Sequence, residues 1–376
     1  MNTNVENTEM KTPYKPVAIP IRELAWEQMI PRIGMAQAAV ARFDGILHAM
    51  INPELLLSPL TTQEAVWSSR IEGTQASLEE VLRQDVAPRK DAEHKDDIQE
   101  VQNYREAMTK AVPWLRQSDL DLKLIYRIHR VLMAGVRGEA KRPGVIRTTQ
   151  NHIGYRGDPI ERAIFIPPTP ADLHKALPAF EAFVAATHRD VIVQTAMAHA
   201  QFELLHPFLD GNGRVGRMLI PLLLHAKGLI SSPTFYISEY FEEYRPTYYS
   251  KLNAISENGD WQGWVDFFLG AVIEQAELNT RRAGAILRLY NGMKDEINKA
   301  TRSQYALQTL DALFAAPFLT APDFMKRTGL ARRTAFRILD DLQKSRILIV
   351  KEEGAGRRPA ILEFERLVKI TEQKEL

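Results

Sequence analysis

Apolar residues recur at three- and four-residue spacing through most of this 376-residue chain. That period restricts the fold more than any other feature, because it gives many segments one apolar stripe each, as amphipathic helices require. The stretch "IRELAWEQMIPRIGMAQAAVARFDGILHAM" is expected to form two helices. "PELLLSPLTTQEAVWSSRIEG", "KDDIQEVQNYREAMTKAVPWL", "LDLKLIYRIHRVLMAGV", "ADLHKALPAFEAFVAAT" and "VIVQTAMAHAQFELL" carry the same period. The expected fold class is therefore mostly α. One stretch departs from it. "GVIRTTQNHIGYRGDPIERAIFIPPTP" is rich in β-branched and aromatic residues and punctuated by Gly and Pro, so it reads as a β-hairpin flap.

The C-terminal part changes character. A linking helix, "QAELNTRRAGAILRLYNGMKDEINKA", precedes three short helical stretches and the Gly-containing hairpin "VKEEGAGRRPAILEF". This order predicts a winged helix-turn-helix at 301–376, with Thr320 and Asp323 forming a capping box. Lys326, Arg327, Arg332, Arg333 and Arg337 on its helices, and Arg357 and Arg358 on its wing, suit phosphate contacts on DNA. Asp340, Asp341, Glu352 and Glu353 dilute that charge, so a protein partner or plain packing fits as well.

Composition excludes several classes. With no cysteine there is no thiol catalysis, disulfide or Cys-ligated zinc. A formal net charge of +1 argues against a general polyanion binder. The polar N-terminus shows no secretory signal, and no apolar run reaches the ~20 residues that span a membrane. A cytoplasmic location is expected.

The densest chemistry lies in "HPFLDGNGRVGR", His206 to Arg217, ahead of the apolar run "MLIPLLLHAKG". Gly211, Asn212 and Gly213 let the backbone turn and bring N–H groups near a ligand. The helix that follows offers free N–H groups and a positive dipole end to an anion. Arg214 and Arg217, three apart, share a face of that helix and suit phosphate oxygens. Asp210 is a hard oxygen ligand of the kind Mg²⁺ takes, and His206 is the side chain suited to general-base work near neutral pH. Together they equip the loop for attack of a hydroxyl on a phosphoryl group. A P-loop is excluded, because there is no G-x-x-x-x-G-K-[ST]. His199, Glu203 and His206 form one helical stripe with metal-like spacing, but no matching carboxylate–histidine pair accompanies it, and His199 reads as a hydrogen-bonded core histidine.

"HPFLDGNGRVGR" resembles the signature of the Fic family at every fixed position. "SSRIEGTQASLEEVL" upstream and "YRPTYYSKL…GDWQGWVDFFL" downstream extend the resemblance over most of residues 20–272. It implies a Fic-type helical bundle that transfers AMP from ATP to a Ser, Thr or Tyr hydroxyl of a protein. With the pattern on either side of it, the expected division is a flexible N-terminus at 1–17, an N-terminal helical region at 18–110, a catalytic core at 111–272, a linking helix at 273–300 and the winged helix at 301–376. His206 would deprotonate the hydroxyl, and Asp210 would hold Mg²⁺. The backbone at 211–213 would form the anion hole, with Asn212 also contacting the α-phosphate. Arg214 and Arg217 would meet the β- and γ-phosphates. Gly213, where the phosphorylating branch carries Lys, favours AMP transfer.

"SSRIEG" matches the family's inhibitory pattern through Ser68, Glu72 and Gly73. Glu72 would then occupy Arg217 and misplace ATP. The same Glu can also position water for AMP removal. The flap at about 150–168 would dock a target's backbone. Arg162, Ala163, Ile164 and Phe165 match nucleotide contacts there, and Tyr248 and Tyr249 match the adenine pocket. Two alternative functions stay open at this level, a DNA-binding regulator with a nucleotide-sensing domain and a hydrolase of AMP-modified protein, and a homodimer is open as the assembly.

Overall fold

The computed structural model describes residues 12–373 except 90, 137–140, 155–156 and 357. Six helices come first: α1 (Trp26–His48), α2 (Pro53–Leu56), α3 (Ser58–Ile71), α4 (Leu78–Val86), α5 (Lys95–Leu115) and α6 (Leu122–Leu132). The two helices expected at the start are one. Pro31 lies only six residues into α1, so its missing N–H removes a single bond near the start and the helix continues. Local chemistry sets several starts. Ser77 and Glu80 form a full capping box on α4, and Asp121 caps α6. α3 ends at Glu72, and Gly73 supplies the positive φ of 99° that turns the chain away.

The central layer is α7 (Pro170–Ala185), α8 (Val191–Leu205) and α9 (Asn212–Ala226), followed by α10 (Ser238–Glu243), α11 (Arg245–Asn258) and α12 (Trp261–Thr301). α8 and α9 are buried on almost every face, which is why α8 lacks an amphipathic stripe. α1 packs along α12. The boundary expected at 272/273 falls inside α12, where Ala271, Val272, Gln275 and Ala276 are all buried and the helix runs on unbroken.

α12 leads into α13 (Ala306–Ala315), β1 (Phe318–Leu319), α14 (Ala321–Thr328), α15 (Arg332–Lys344), β2 (Ile349–Glu352), β3 (Ile361–Glu363) and α16 (Glu365–Glu372). The three strands form an antiparallel sheet ordered β1-β3-β2. Thr320 caps α14 through its hydroxyl, but the Asp323 carboxylate pairs with Arg327 at 2.7 Å, so the expected capping box is half made. Arg357 lies outside the described residues; Arg358 is exposed beside the hairpin tip. A small apolar cluster of Leu78, Leu82, Phe318, Ile361 and Val368 joins α4 to the sheet.

Two further expectations are corrected. Residues 12–17 of the N-terminus expected to be flexible are docked: Tyr14 N–H donates to Ile166 O at 2.9 Å, its ring meets Phe165, and Lys15 pairs with Asp172. Residues 1–11 lie outside the described set. The flap is not a regular hairpin. Among its described residues it holds one isolated bridge, Ile153–Phe165, and a 3₁₀ turn at Ile160–Arg162. Pro159, Pro167 and Pro168 have no N–H for a ladder. Side chains bond the backbone instead: Gln150 to Pro167 O at 2.9 Å and Asn151 to Phe208 O at 3.1 Å.

Candidate active site

The loop between α8 and α9 is bounded by two left-handed residues. His206 ends α8 at φ 46°, and Gly211 precedes α9 at φ 76°. A non-glycine residue in that region carries strain on the order of 1 kcal/mol, held by the surrounding contacts. A Cβ on Gly211 would also lie 2.7 Å from Met133 Sδ, so glycine is needed there twice over. The Asn212 amide closes the loop, its Oδ1 accepting from Phe208 N at 2.8 Å and its Nδ2 donating to Phe208 O at 2.9 Å. In this conformation its side chain is spent on the loop.

Two residues absent from the sequence reading shape this loop. His129 stacks on Phe208 at 3.7 Å between centroids, accepts from Gly144 N at 2.7 Å and donates to Asp210 O at 2.9 Å. Burial lowers its pKa to about 4, so it stays neutral in this role. Arg147 is buried and donates to the carbonyls of His206 (2.9 Å), Thr149 (3.3 Å), Pro168 (2.6 Å) and Leu205 (3.4 Å). It ties the flap to the loop. Neither residue belongs to a short motif, and a lone His or Arg in a helical sequence gives no signal.

His206 Nδ1 lies 3.2 Å from Glu203 O. A carbonyl only accepts, so Nδ1 carries the proton and Nε2 keeps its lone pair. Burial lowers the His206 pKa to about 4, so the ring is neutral at pH 7, as a base requires. α9 has no side-chain cap, and its first N–H groups have no intrahelical partner.

The two arginines are buried and held differently. Arg214 pairs with Glu100 of α5 at 2.7 Å and lies 3.7 Å from Asp210. Arg217 is gripped by α3: it donates to Ser68 Oγ at 2.9 Å, Ser68 O at 2.8 Å and Glu72 Oε1 at 2.6 Å. Burial opposes ionisation of Glu72, and the Arg217 guanidinium overrides it, leaving the carboxyl below its usual range. Glu72 also fills the space over the loop: a Cβ on Gly213 would lie 2.1 Å from its Oε1.

Asp210 is half exposed at the loop tip. Among the described residues no cluster of three or more metal-binding side chains exists. One exposed carboxylate beside an anion cradle still fits Mg²⁺, which is held by one or two carboxylates plus substrate phosphates. The His199 stripe resolves as packing. His199 Nδ1 donates to Gly216 O at 2.9 Å and Nε2 accepts from Tyr248 Oη at 3.0 Å, inside a cluster with Phe241 and Trp264. Tyr248 is therefore buried, whereas Tyr249 is partly exposed and bonds Ile71 O at 3.4 Å. On the flap, Ala163 and Phe165 are buried, while Arg162 and Ile164 are exposed.

Glu203, considered above only as part of a metal stripe, enters the site by another route. Its Oε1 is buried without a hydrogen-bond partner, packed against Gly216. Burial raises its pKa to about 8, with Arg217 pulling down and Glu72 pushing up. The folded state thus binds its proton more tightly than the unfolded chain does, and this stabilisation is lost as pH rises through about 8. Thermal unfolding between pH 6.5 and 9 should show stability falling by about 2 kcal/mol, most of which Glu203→Gln removes. An unchanged pH slope in the variant would refute the assignment.

The loop and the uncapped start of α9 thus bring together a neutral imidazole, two buried arginines and a half-exposed carboxylate. The model described as Fic/DOC family N-terminal matches residues 30–113, and that described as Fic/DOC family matches 119–224. The chain belongs to the Fic/DOC family. It is 32% identical over 151 residues to a protein adenylyltransferase Fic of Culex quinquefasciatus, covering 39% of this chain and 27% of that protein. It is 28% identical over 178 residues to a probable protein adenylyltransferase of Aquifex aeolicus, covering 45% and 48%. The chain thus spans about a quarter of the length of the insect relatives it matches. A Fic family protein structure from Desulfovibrio desulfuricans G20 has the same fold, with TM-score 0.55 at 19% identity over 94% of this chain and 98% of that one. Fic-1 from C. elegans gives TM-score 0.53 at 20% identity over 69% and 73%.

Proposed function

We propose that the chain is a protein adenylyltransferase held inactive by α3. The observation that carries this reading is the Arg217 grip by Ser68 and Glu72. His206 Nε2 takes the proton from a Ser, Thr or Tyr hydroxyl of the target. The hydroxyl oxygen attacks the α-phosphorus of ATP, the bond to the β-phosphate oxygen breaks, and pyrophosphate leaves. The N–H groups opening α9 receive the charge on the α-phosphate, and Arg214 and Arg217 receive the β- and γ-phosphates. Asp210 would hold Mg²⁺, which neutralises phosphate charge when bound. With Arg217 occupied by Glu72, the γ-phosphate loses its clamp and the α-phosphate leaves the line of attack.

The target's backbone would dock at 150–168, and residues 301–376 read as a winged helix whose exposed Arg332 and Arg333 on α15 face a DNA or protein partner. Incubating the Glu72→Gly protein with labelled ATP and lysate, then locating the label by mass spectrometry, tests the reading. A label on a Ser, Thr or Tyr of a protein, this chain included, supports it; no label refutes it. A second direction is favoured by the ionised Glu72 carboxylate beside the anion cradle, which can accept a proton from water during AMP removal. Release of AMP from a modified target by the unsubstituted protein, and not by Glu72→Gly, would show it.

A further inference from the structure

α3 is an unusual helix to bury. Thr62, Gln63, Glu64, Ser68 and Ser69 all lie inside the protein. Gln63 Oε1, Trp67 Nε1 and Ser69 Oγ on α3, and Thr74 Oγ1 just beyond it, are buried with no hydrogen-bond partner. Burying such atoms unpaired opposes docking, so apolar burial alone does not hold the helix where it is. Besides Arg217 and the Ser58–Ala315 bond at its start, residues 236–249 hold it along its length. Tyr236 Oη meets Thr61 Oγ1 at 2.9 Å, Arg245 donates to Arg70 O at 3.0 Å, and Tyr249 donates to Ile71 O at 3.4 Å.

The same segment also holds a buried carboxyl of α3, that of Glu64. Its Oε1 accepts from Ser238 Oγ at 2.5 Å and its Oε2 from Ser238 N at 3.0 Å. Both residues are buried, Ser238 at 0% and Glu64 at 5% exposure. Glu64, Ser68 and Glu72 are spaced i, i+4 and i+8, so they share one face of α3. Ser238 is in turn anchored, since the next residue, Glu239, pairs with the buried Arg282 of α12. Burial pushes the Glu64 carboxyl up to about 7, against the Ser238 bonds and the Arg217 charge. Its two hydrogen bonds are therefore its principal support.

We propose that Glu64 is the positioning residue of the brake, its clasp on Ser238 fixing α3 at the height where Glu72 meets Arg217. Both bonds join groups that are buried on each side, where an unpaired partner is costly, and they set the helix along its own axis. Losing them leaves α3 with unpaired buried groups and weaker holds, so α3 leaves the site more often. This rests on the reading of α3 as a brake, and the test separates the two.

Ser238→Ala and Glu64→Gln are made in the full chain, each alone and with Glu72→Gly. Labelling from ATP should rise about tenfold in each single variant and change less than about twofold when added to Glu72→Gly. Amide hydrogen exchange along 60–71 should speed up by about tenfold in both single variants, with α8 and α9 unchanged. Exchange at 60–71 equal to that of the unsubstituted protein overturns the proposal, whatever the labelling. Equal changes in both Glu72 backgrounds also overturn it, because they mark a general structural defect. If α3 exchanges faster and Glu72→Gly itself labels nothing, the clasp stands and the AMP-transfer reading falls.

Discussion

Replacing Glu72 with glycine is expected to raise AMP transfer by on the order of 10²-fold or more, because reactive geometry misplaced by about an ångström costs about that factor. The energetics favour a clean release. Arg217 keeps its bonds to Ser68 Oγ and Ser68 O, so removing Glu72 does not strand the guanidinium. Glu72 is also partly exposed, at 35%, and it ends α3 instead of lying within it. Gly at that end of a helix is tolerated. The substitution should therefore cost only on the order of 1 kcal/mol of stability. Saturating ATP should return that stability, because the freed Arg217 site binds the folded state alone. The measurement is the initial rate of label incorporation at several ATP concentrations. A rate within twofold of the unsubstituted protein would remove α3 as a brake.

Much of this site was legible in the sequence, for reasons that lie in particular residues. His206, Asp210, Arg214 and Arg217 lie within twelve residues, on one loop and the first turns of α9, so their spacing alone places them together. The Glu72–Arg217 pair was visible because each end sits in a short pattern of its own, although 145 residues separate them. The supports were not visible. Arg147, His129, Glu100 and Glu64 act across long separations with no local signature, and periodicity reports which face is buried without saying what a buried polar group bonds. The flap keeps one antiparallel bridge, Ile153–Phe165, without a longer ladder among its described residues, because β-branched residues signal an extended backbone while only N–H groups make a ladder, and Pro159, Pro167 and Pro168 have none. The single α1 was missed because a proline near a helix start breaks far less than one in its middle.

Substituting His206 by alanine in the Glu72→Gly protein should lower AMP transfer by about 10²- to 10⁴-fold, the range general-base catalysis supplies. ATP binding should persist, because the ligand-facing N–H groups belong to α9 and the loop is closed by Asn212, His129 and Arg147 instead of the imidazole. Alanine keeps the peptide whose carbonyl Arg147 holds. The left-handed φ of 46° remains a small strain in either residue. The pH profile gives the sharper test. Burial lowers the His206 pKa to about 4 from an ordinary value near 6.5, and the base is the neutral ring. The released enzyme should therefore keep a flat rate from pH 8 down to about 5 and lose it below, as the ring takes a proton. A base with an ordinary histidine pKa would already halve the rate near pH 6.5. The residual rate of the His206→Ala protein should show no such acid limb. A limb centred near 6.5, or one that survives the substitution, would assign proton removal to another group.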